Sequence, residues 1–360
     1  MTFVMAGGGT GGHVIPAIAV AREVCRMGHE VLFVGTDRGV ESRLVPAAGF
    51  RFEKISVGGI KNLGVATRLV SLWRLLGETA GQVARFGEWK PGAVFSMGGY
   101  VAGPPVLAAL LRGTPVVVME PNAVPGFTNR HIARWVKRAL ISFGETARFF
   151  PPGRTELTGL PVREEFFNLP PRSGEDEFTV LITGGSQGSR TLNEAARQSW
   201  PLFREAGFPI KLMHQTGAPM YETIAAEFRE TGLAGEITAF INDMPGAFAS
   251  ADLIVCRSGA GAVSELAAAG KPSVLIPFPF AADQHQLKNA QALERAGAAR
   301  VSLDRDWTGQ KFFEIVREMA KDREGLKAMG SRAGEMARPG AARRAAEILI
   351  QTAQTAAKSD

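Results

Sequence analysis

The chain has 360 residues, 45% of them hydrophobic and 21% charged, the balance of a soluble globular protein long enough for two domains. Its two cysteines, Cys25 and Cys256, lie far apart in sequence and give neither a disulfide framework nor a metal-ligand spacing, which fits a reducing, cytosolic setting. The net charge of +6 is uneven: residues 1–160 hold 18 Lys and Arg against 10 Asp and Glu, and residues 161–360 come to −2, so an anionic partner, nucleic acid or an acidic membrane surface, would meet the first half. Met1–Ala6 reads as a strand, which leaves no room for a secretory leader before the fold. The 21 residues Pro91–Leu111 carry no charge, but Gly98-Gly99 and Pro104-Pro105 break the run into strand, glycine loop and helix in place of a membrane span.

Phe3–Ala6 leads into Gly7-Gly8-Gly9-Thr10-Gly11-Gly12-His13 and then a helix from Pro16 to Met27. Gly7, Gly9 and Gly12 satisfy G-x-G-x-x-G, and Asp37 follows the next strand, Glu30–Val34, near the place of a ribose-binding carboxylate, so a dinucleotide-dependent dehydrogenase is one reading. The glycines crowd more densely than a pyrophosphate turn needs, and His13 at the helix start suits either proton transfer or a plain polar helix terminus. Val65–Phe86 is helical, with Leu69, Leu72, Trp73, Leu76 and Val83 at helical spacing as a core stripe. Trp73, Leu75 and Phe86 among Lys61, Arg68, Arg74 and Arg85 offer an interfacial membrane patch as the alternative. A second glycine loop, Ser96–Tyr100, follows the Ala93–Phe95 strand. The strand Pro115–Met119 ends at Glu120 and Asn122, polar groups at a strand's carboxyl end and so candidates for a ligand cleft.

Residues 151–176 shift to proline, glycine and charge, which reads as linker and places a domain boundary near Leu160, between domains 1–160 and 161–340. The plan then restarts with the strand Phe178–Thr183, the loop Gly184–Gly188 and a helix from Arg190. This repetition predicts an α/β protein of two doubly wound domains facing each other across a cleft. Gly217, Gly232 and Gly235 mark further turns, and Ile237–Ile241 reads as a strand. Ala251–Cys256 is a strand, Arg257-Ser258-Gly259 a turn, Ala260–Ala269 a helix closed by Gly270 and Pro272, and Ser273–Ile276 a second strand. In this strand–helix–strand unit the helix N-terminus suits a phosphate, while Glu265 is either a ribose ligand or an ordinary surface glutamate. The stiff Pro277-Phe278-Pro279-Phe280 loop delivers Asp283, Gln284, His285 and Gln286 to the same edge, as readers of sugar hydroxyls. Asp304-Arg305-Asp306 has a metal-binding D-x-D form, but Asp306-Trp307-Thr308 stands at a helix start, so N-capping explains it and no metal is expected. Ala341–Gln351 reads as an amphipathic bracing helix.

The segments GGGTGGHVIPAIAVA, SMGGYVAGPPVLAA, EPNAVPGFTN, GLPVREEF, GGSQGSRTLN and CRSGAGAVSELAAAGKPSVLIPFP, in this order and over nearly the full length, resemble the blocks of the MurG family. These are bacterial N-acetylglucosaminyltransferases that convert lipid I, the lipid-linked muramyl-pentapeptide, to lipid II in peptidoglycan synthesis. The resemblance implies a GT-B fold of two Rossmann-like domains. The C-terminal one, 161–340, would hold UDP-N-acetylglucosamine (UDP-GlcNAc), and the N-terminal one, 1–160, braced by the helix 341–360, would take the undecaprenyl-pyrophosphoryl acceptor. It further implies that Thr10, Gly11 and Gly12 line the donor region, that Asn122 contacts the GlcNAc, and that Arg163 and Ser186 hold the donor. Ile241 would offer backbone hydrogen bonds to uracil. Ala260, Gly261, Ala262, Val263, Ser264 and Glu265 would cover the diphosphate and ribose, and Gln286 would read the sugar. Where many members carry His-Glu-Gln-Asn, this chain has Met119-Glu120-Pro121-Asn122, so Met119 can do no acid–base work; His13 is the first base candidate and Glu120 its competitor. No cofactor, metal or nucleic acid is expected. The chain is expected on the cytoplasmic face of the cell membrane, bound peripherally to its anionic surface. A UDP-sugar epimerase on the same fold and an NAD-dependent oxidoreductase are the alternatives.

Overall fold

A computed structural model of the chain describes residues 1–58, 65–172 and 177–358, with side chains in the helix that opens at Val65 described from Trp73 onward. Lys61 and the side chains of Arg68, Leu69 and Leu72, named above, lie outside the described residues. Contacts divide the chain into two compact units, Met1–Pro161 together with Gly340–Asp360, and Val162–Pro339.

The first unit runs β1 (Thr2–Gly7), α1 (Gly11–Arg26), β2 (Glu30–Thr36), α2 (Glu41–Ala47), β3 (Arg51–Ile55), α3 (Val65–Trp89), β4 (Ala93–Gly98), α4 (Gly103–Leu111), β5 (Val116–Glu120), α5 (Phe127–Ile132), β6 (Arg138–Ile141) and β7 (Thr155–Leu157). Among the described residues the strands form a seven-stranded sheet in the order β3-β2-β1-β4-β5-β6-β7, parallel throughout. β1, β4 and β5 are apolar runs buried almost end to end, as strands covered on both faces by helices must be. Val4, Val94 and Val118 of these strands meet Phe86 of α3 and Val106 of α4 in one core.

In the first unit, local structure departs from the sequence pattern in three places. α1 opens at Gly11, so Gly11, Gly12 and His13 form its first turn and Pro16 lies inside the helix, where it has no N–H to donate to the Gly12 carbonyl. The inward face of α3 is Leu75, Thr79, Gln82 and Phe86, while Trp73 and Leu76 are 74% and 52% exposed; the stripe expected to be core is therefore split, and Leu75 and Phe86 leave the membrane patch. Within the stretch read as linker, Thr155–Leu157 forms β7, an edge strand, a place where the preceding Pro151, Pro152 and Gly153 do no harm.

The second unit runs β8 (Phe178–Thr183), α6 (Arg190–Glu205), β9 (Ile210–Gln215), α7 (Tyr221–Arg229), β10 (Ala234–Thr238), α8 (Met244–Ser250), β11 (Leu253–Cys256), α9 (Ala260–Ala269), β12 (Ser273–Leu275), α10 (His285–Arg295), β13 (Arg300–Val301), α11 (Gly309–Lys321) and α12 (Arg323–Glu335). Its sheet, among the described residues, is six-stranded in the order β10-β9-β8-β11-β12-β13 and parallel. Phe203 of α6 packs edge-on against Phe312 and Phe313 of α11 under this sheet. β10 begins and ends earlier than the pattern suggests, because Gly235 is a pairing residue and not a turn: a β-carbon there would stand 2.1 Å from the Leu212 carbonyl oxygen of β9. α13 (Ala341–Ala357) belongs to the first unit, where its Ala345, Ala346, Leu349 and Ala353 are buried and it packs on α1 and β4. Arg344 adds an ion pair to Glu156 of β7.

In each sheet the order of the strands reverses at one point, between β1 and β4 in the first unit and between β8 and β11 in the second. Open α/β sheets bind ligands outside the carboxyl ends of the strands at such a point.

Candidate active site

At the switch point of the first unit, three loops meet. Gly7 is so close to the β4 loop that a β-carbon on it would stand 2.9 Å from that of Met97. His13, in the first turn of α1, directs Nδ1 at the Gly8 carbonyl oxygen, 3.2 Å away, and its ring lies against Gly99, where a β-carbon would stand 3.6 Å from it. A carbonyl only accepts, so Nδ1 carries a proton in this contact. Gly99 in turn accepts from the Thr128 hydroxyl at 2.8 Å, and the adjacent Asn129 donates to Glu120 at 3.0 Å.

Glu120 ends β5 and is 1% exposed. One oxygen takes the Asn122 N–H and side-chain amide, both at 3.0 Å, and the other takes the Gly126 N–H and the Asn129 amide, also at 3.0 Å. Burial pushes its carboxyl up from the ordinary value, against the pull of these donors. A carboxylate so enclosed ties down the 121–126 loop that carries Asn122, a geometry suited to positioning. Met119 is buried in the core.

The dinucleotide reading of the first glycine loop fails on a residue absent from the sequence reasoning. Glu41, at the start of α2, accepts from the Gly9 N–H at 2.8 Å and from the Thr36 N–H and hydroxyl at 3.0 and 2.7 Å. The chain's own carboxylate thus holds a loop N–H that a pyrophosphate would need, and Asp37 is exposed beyond it. Spacing could have hinted at Glu41, since the glycines at 8, 35 and 39 surround it.

At the switch point of the second unit, the loop Gly184–Gly188 packs so tightly on the end of β9 that a β-carbon at Gly188 would stand 1.9 Å from the Thr216 oxygen. Gln215, also missed, ties this region together, donating to Gly185 at 2.8 Å and accepting the Ile241 N–H at 2.8 Å. Ile241 therefore has its N–H committed, and of the expected uracil contacts its carbonyl is the group that fits. Ser186 sits exposed on the loop.

Gly259 caps α9 with no side chain to accept from the first turn, so the N–H groups of Ala260–Ala262 at the positive helix end are left without an intrahelical acceptor, a terminus that suits an anion. Arg257 fixes the turn before it, donating to Ser189 at 2.7 Å, to Ile276 at 3.0 Å and to Asp304 at 2.5 Å. This is the work of Asp304; Thr308, not Asp306, caps α11. Glu265, deeper in α9, is half-buried, and burial pushes its carboxyl up to about 7 against the pull of Arg163. The Arg163 guanidinium lies 5.0 Å over the Phe166 ring, which sits edge-on to Phe248. Gln286, in the first turn of α10, accepts the Phe278 N–H at 2.9 Å, and its carbonyl takes the Ser258 hydroxyl at 2.8 Å, so the proline loop is tied to the turn before α9. Before it, Asp283 and Gln284 both adopt left-handed backbone (φ 51 and 54), strain of the kind that gathers at ligand sites.

Each unit thus collects its own predicted residues: Thr10, Gly11, Gly12, His13, Glu120 and Asn122 in the first, and Arg163, Ser186, Ile241, Ala260 to Glu265 and Gln286 in the second.

Residues 3–141 match the glycosyltransferase family 28 N-terminal domain, and residues 179–345 match the family 28 C-terminal domain. A protein of Solibacter usitatus named UDP-N-acetylglucosamine--N-acetylmuramyl-(pentapeptide) pyrophosphoryl-undecaprenol N-acetylglucosamine transferase is 61% identical over 98% of this chain and 96% of its own length. A protein of the same name from Myxococcus xanthus is 40% identical over 97% of this chain and 92% of its own. The crystal structure of Acinetobacter baumannii MurG matches with a TM-score of 0.82 at 32% identity, covering 97% of this chain and 99% of that one. Alike in sequence and in fold along almost its whole length, the chain belongs to the MurG family of GT-B glycosyltransferases.

Proposed function

We propose that the chain transfers N-acetylglucosamine from UDP-GlcNAc to the C4 hydroxyl of lipid-linked N-acetylmuramyl-pentapeptide, with inversion at C1, forming lipid II and UDP. The observation that carries this reading is the pairing, in the second unit, of the α9 N-terminus with the half-buried Glu265: one suits a diphosphate, the other a ribose diol. The second unit would hold the donor, with Ile241 at the uracil, Ala260–Ser264 at the diphosphate and Gln286 at the sugar. The first unit would serve the acceptor.

Such a transfer needs aligned substrates, a base for the hydroxyl proton, and positive potential for the charge growing on the leaving diphosphate. Nε2 of His13 is the base in this reading, and the α9 terminus with Arg163 supplies the potential. Glu120 holds the loop that presents Asn122 to the sugar.

Among the described residues no helix is long and apolar enough to cross a membrane. The acceptor's lipid stays in the bilayer, so the chain docks peripherally, on the cytoplasmic face where UDP-GlcNAc is found. The exposed Trp73 and Leu76 of α3, with Arg74 exposed beside them, are our choice for the docking patch on a basic first half.

The test is to incubate the protein with UDP-GlcNAc with and without a lipid-linked muramyl-pentapeptide. UDP should form only with the acceptor present. Conversion of UDP-GlcNAc in its absence would point to an epimerase instead.

A further inference from the structure

Glu41 is a buried carboxylate, 1% exposed, that the reaction above leaves unused. The fold makes room for it: a β-carbon at Gly8, Gly35 or Gly39 would stand 2.3, 2.7 or 2.0 Å from its side chain. Burial alone would push its carboxyl up, but the hydrogen bonds from Thr36 and Gly9 outweigh it and hold the carboxyl below its ordinary value, so Glu41 is charged at neutral pH. Its partner Gly9 N–H and the Gly8 carbonyl that His13 engages belong to one peptide group. The line of contacts runs from the Glu41 carboxylate to the Gly9 N–H at 2.8 Å, across the amide, and from the Gly8 oxygen to His13 Nδ1 at 3.2 Å.

We propose that Glu41 is the positioning residue of His13, acting through the Gly8–Gly9 peptide. A carboxylate on the N–H side polarises the amide and makes the Gly8 oxygen a stronger acceptor. That oxygen holds the imidazole in its Nδ1–H tautomer and stabilises the positive charge the ring gains on taking a proton. Stabilisation is needed there, because His13 sits in the first turn of α1, where the positive helix end opposes a cation. In the transfer step the acceptor O–H bond breaks and its proton goes to Nε2. The freed electron pair forms the new O–C1 bond, and the C1–O bond to the diphosphate breaks with its pair leaving on UDP. Glu41 exchanges no proton. The inference rests on His13 being the base.

Glu41→Gln keeps the size and removes the charge. It should lower kcat by about 10-fold or more, with the KM for UDP-GlcNAc within about twofold of wild type. In a double-mutant cycle, His13→Ala with Glu41→Gln should be no slower than His13→Ala alone, because a residue that acts through the imidazole has nothing left to act on. Losses that multiply, or a normal kcat in Glu41→Gln, overturn the proposal. A slow His13→Ala beside a normal Glu41→Gln sinks the role of Glu41 alone, whereas a His13→Ala of wild-type kcat sinks the base assignment beneath it. Should Glu41→Gln fail to fold, nitrogen NMR of histidine-labelled wild-type protein decides: His13 should appear as the Nδ1–H tautomer, and the Nε2–H tautomer overturns the proposal.

Discussion

In the proposed ribose role Glu265 accepts from two hydroxyls, which an ionised carboxylate does better than a neutral carboxyl, and burial pushes its carboxyl up to about 7. Because the raised value makes the neutral form dominant below 7, donor binding should weaken as pH falls: the KM for UDP-GlcNAc should climb several-fold from pH 8 to pH 6. Glu265→Gln should show a high KM with no such slope, and a flat wild-type profile would remove Glu265 from the ribose. For the base, His13→Ala should cost roughly 10²-fold or more in kcat. Glu120→Gln turns an acceptor into a donor facing N–H groups, so it should cost about 1–3 kcal/mol of stability in a urea titration. If Glu120→Gln melts normally yet loses more kcat than His13→Ala, the two roles exchange. Glu265 and Gln286 are legible in the sequence because strand, helix and following loop are contiguous, so the ligand edge can be built by counting. Glu41 is less so: Thr36, Gly35 and Gly39 lie near it in sequence and only hint at a packed carboxylate, while the partner that ties it to the glycine loop, Gly9, is 32 residues away.

Helices and strands are legible where a glycine does a local job and illegible where it does a distant one. Gly270 ends α9 in left-handed backbone (φ 58, ψ 36), as its position before Pro272 predicts, and a β-carbon there would meet nothing nearer than 3.5 Å. Gly270→Ala should therefore cost only the backbone penalty, about 1–2 kcal/mol. Gly188→Ala adds a clash at 1.9 Å with the Thr216 oxygen, so it should cost more and raise the donor's KM by moving the loop that carries Ser186. Chemical denaturation of the two variants compares them; equal losses would mean the β9 end yields freely. The same distinction explains the misread strand β10, where Gly235 answers to a neighbouring strand, and the misread start of α1, where glycines that look like loop form a helical turn. α3 is harder still: periodicity finds its apolar residues, but which of them face inward depends on α4, against which Leu75 packs at Gly103.

At the scale of the molecule, the repeated plan of strand, glycine loop and helix makes two parallel-sheet units readable from the sequence. The membrane proposal also belongs to this scale. The chain should sediment with anionic but not neutral vesicles, and salt should weaken the binding as the Debye length shrinks. Replacing Trp73 and Leu76 with serine should lower vesicle binding and turnover on bilayer-embedded acceptor while sparing a short-chain soluble acceptor; equal losses on both would move docking to another surface. The return of α13 to the first unit has a consequence in time. Residues up to Pro161 leave the ribosome first, yet the surface of α1 and β4 that α13 covers stays bare until the chain has been made past Gly340. At about 5–20 residues per second that interval is on the order of ten seconds or more. The second unit, one unbroken stretch, is complete in sequence at Pro339, before any of α13 is made, so the half that is synthesised first is the half that is finished last.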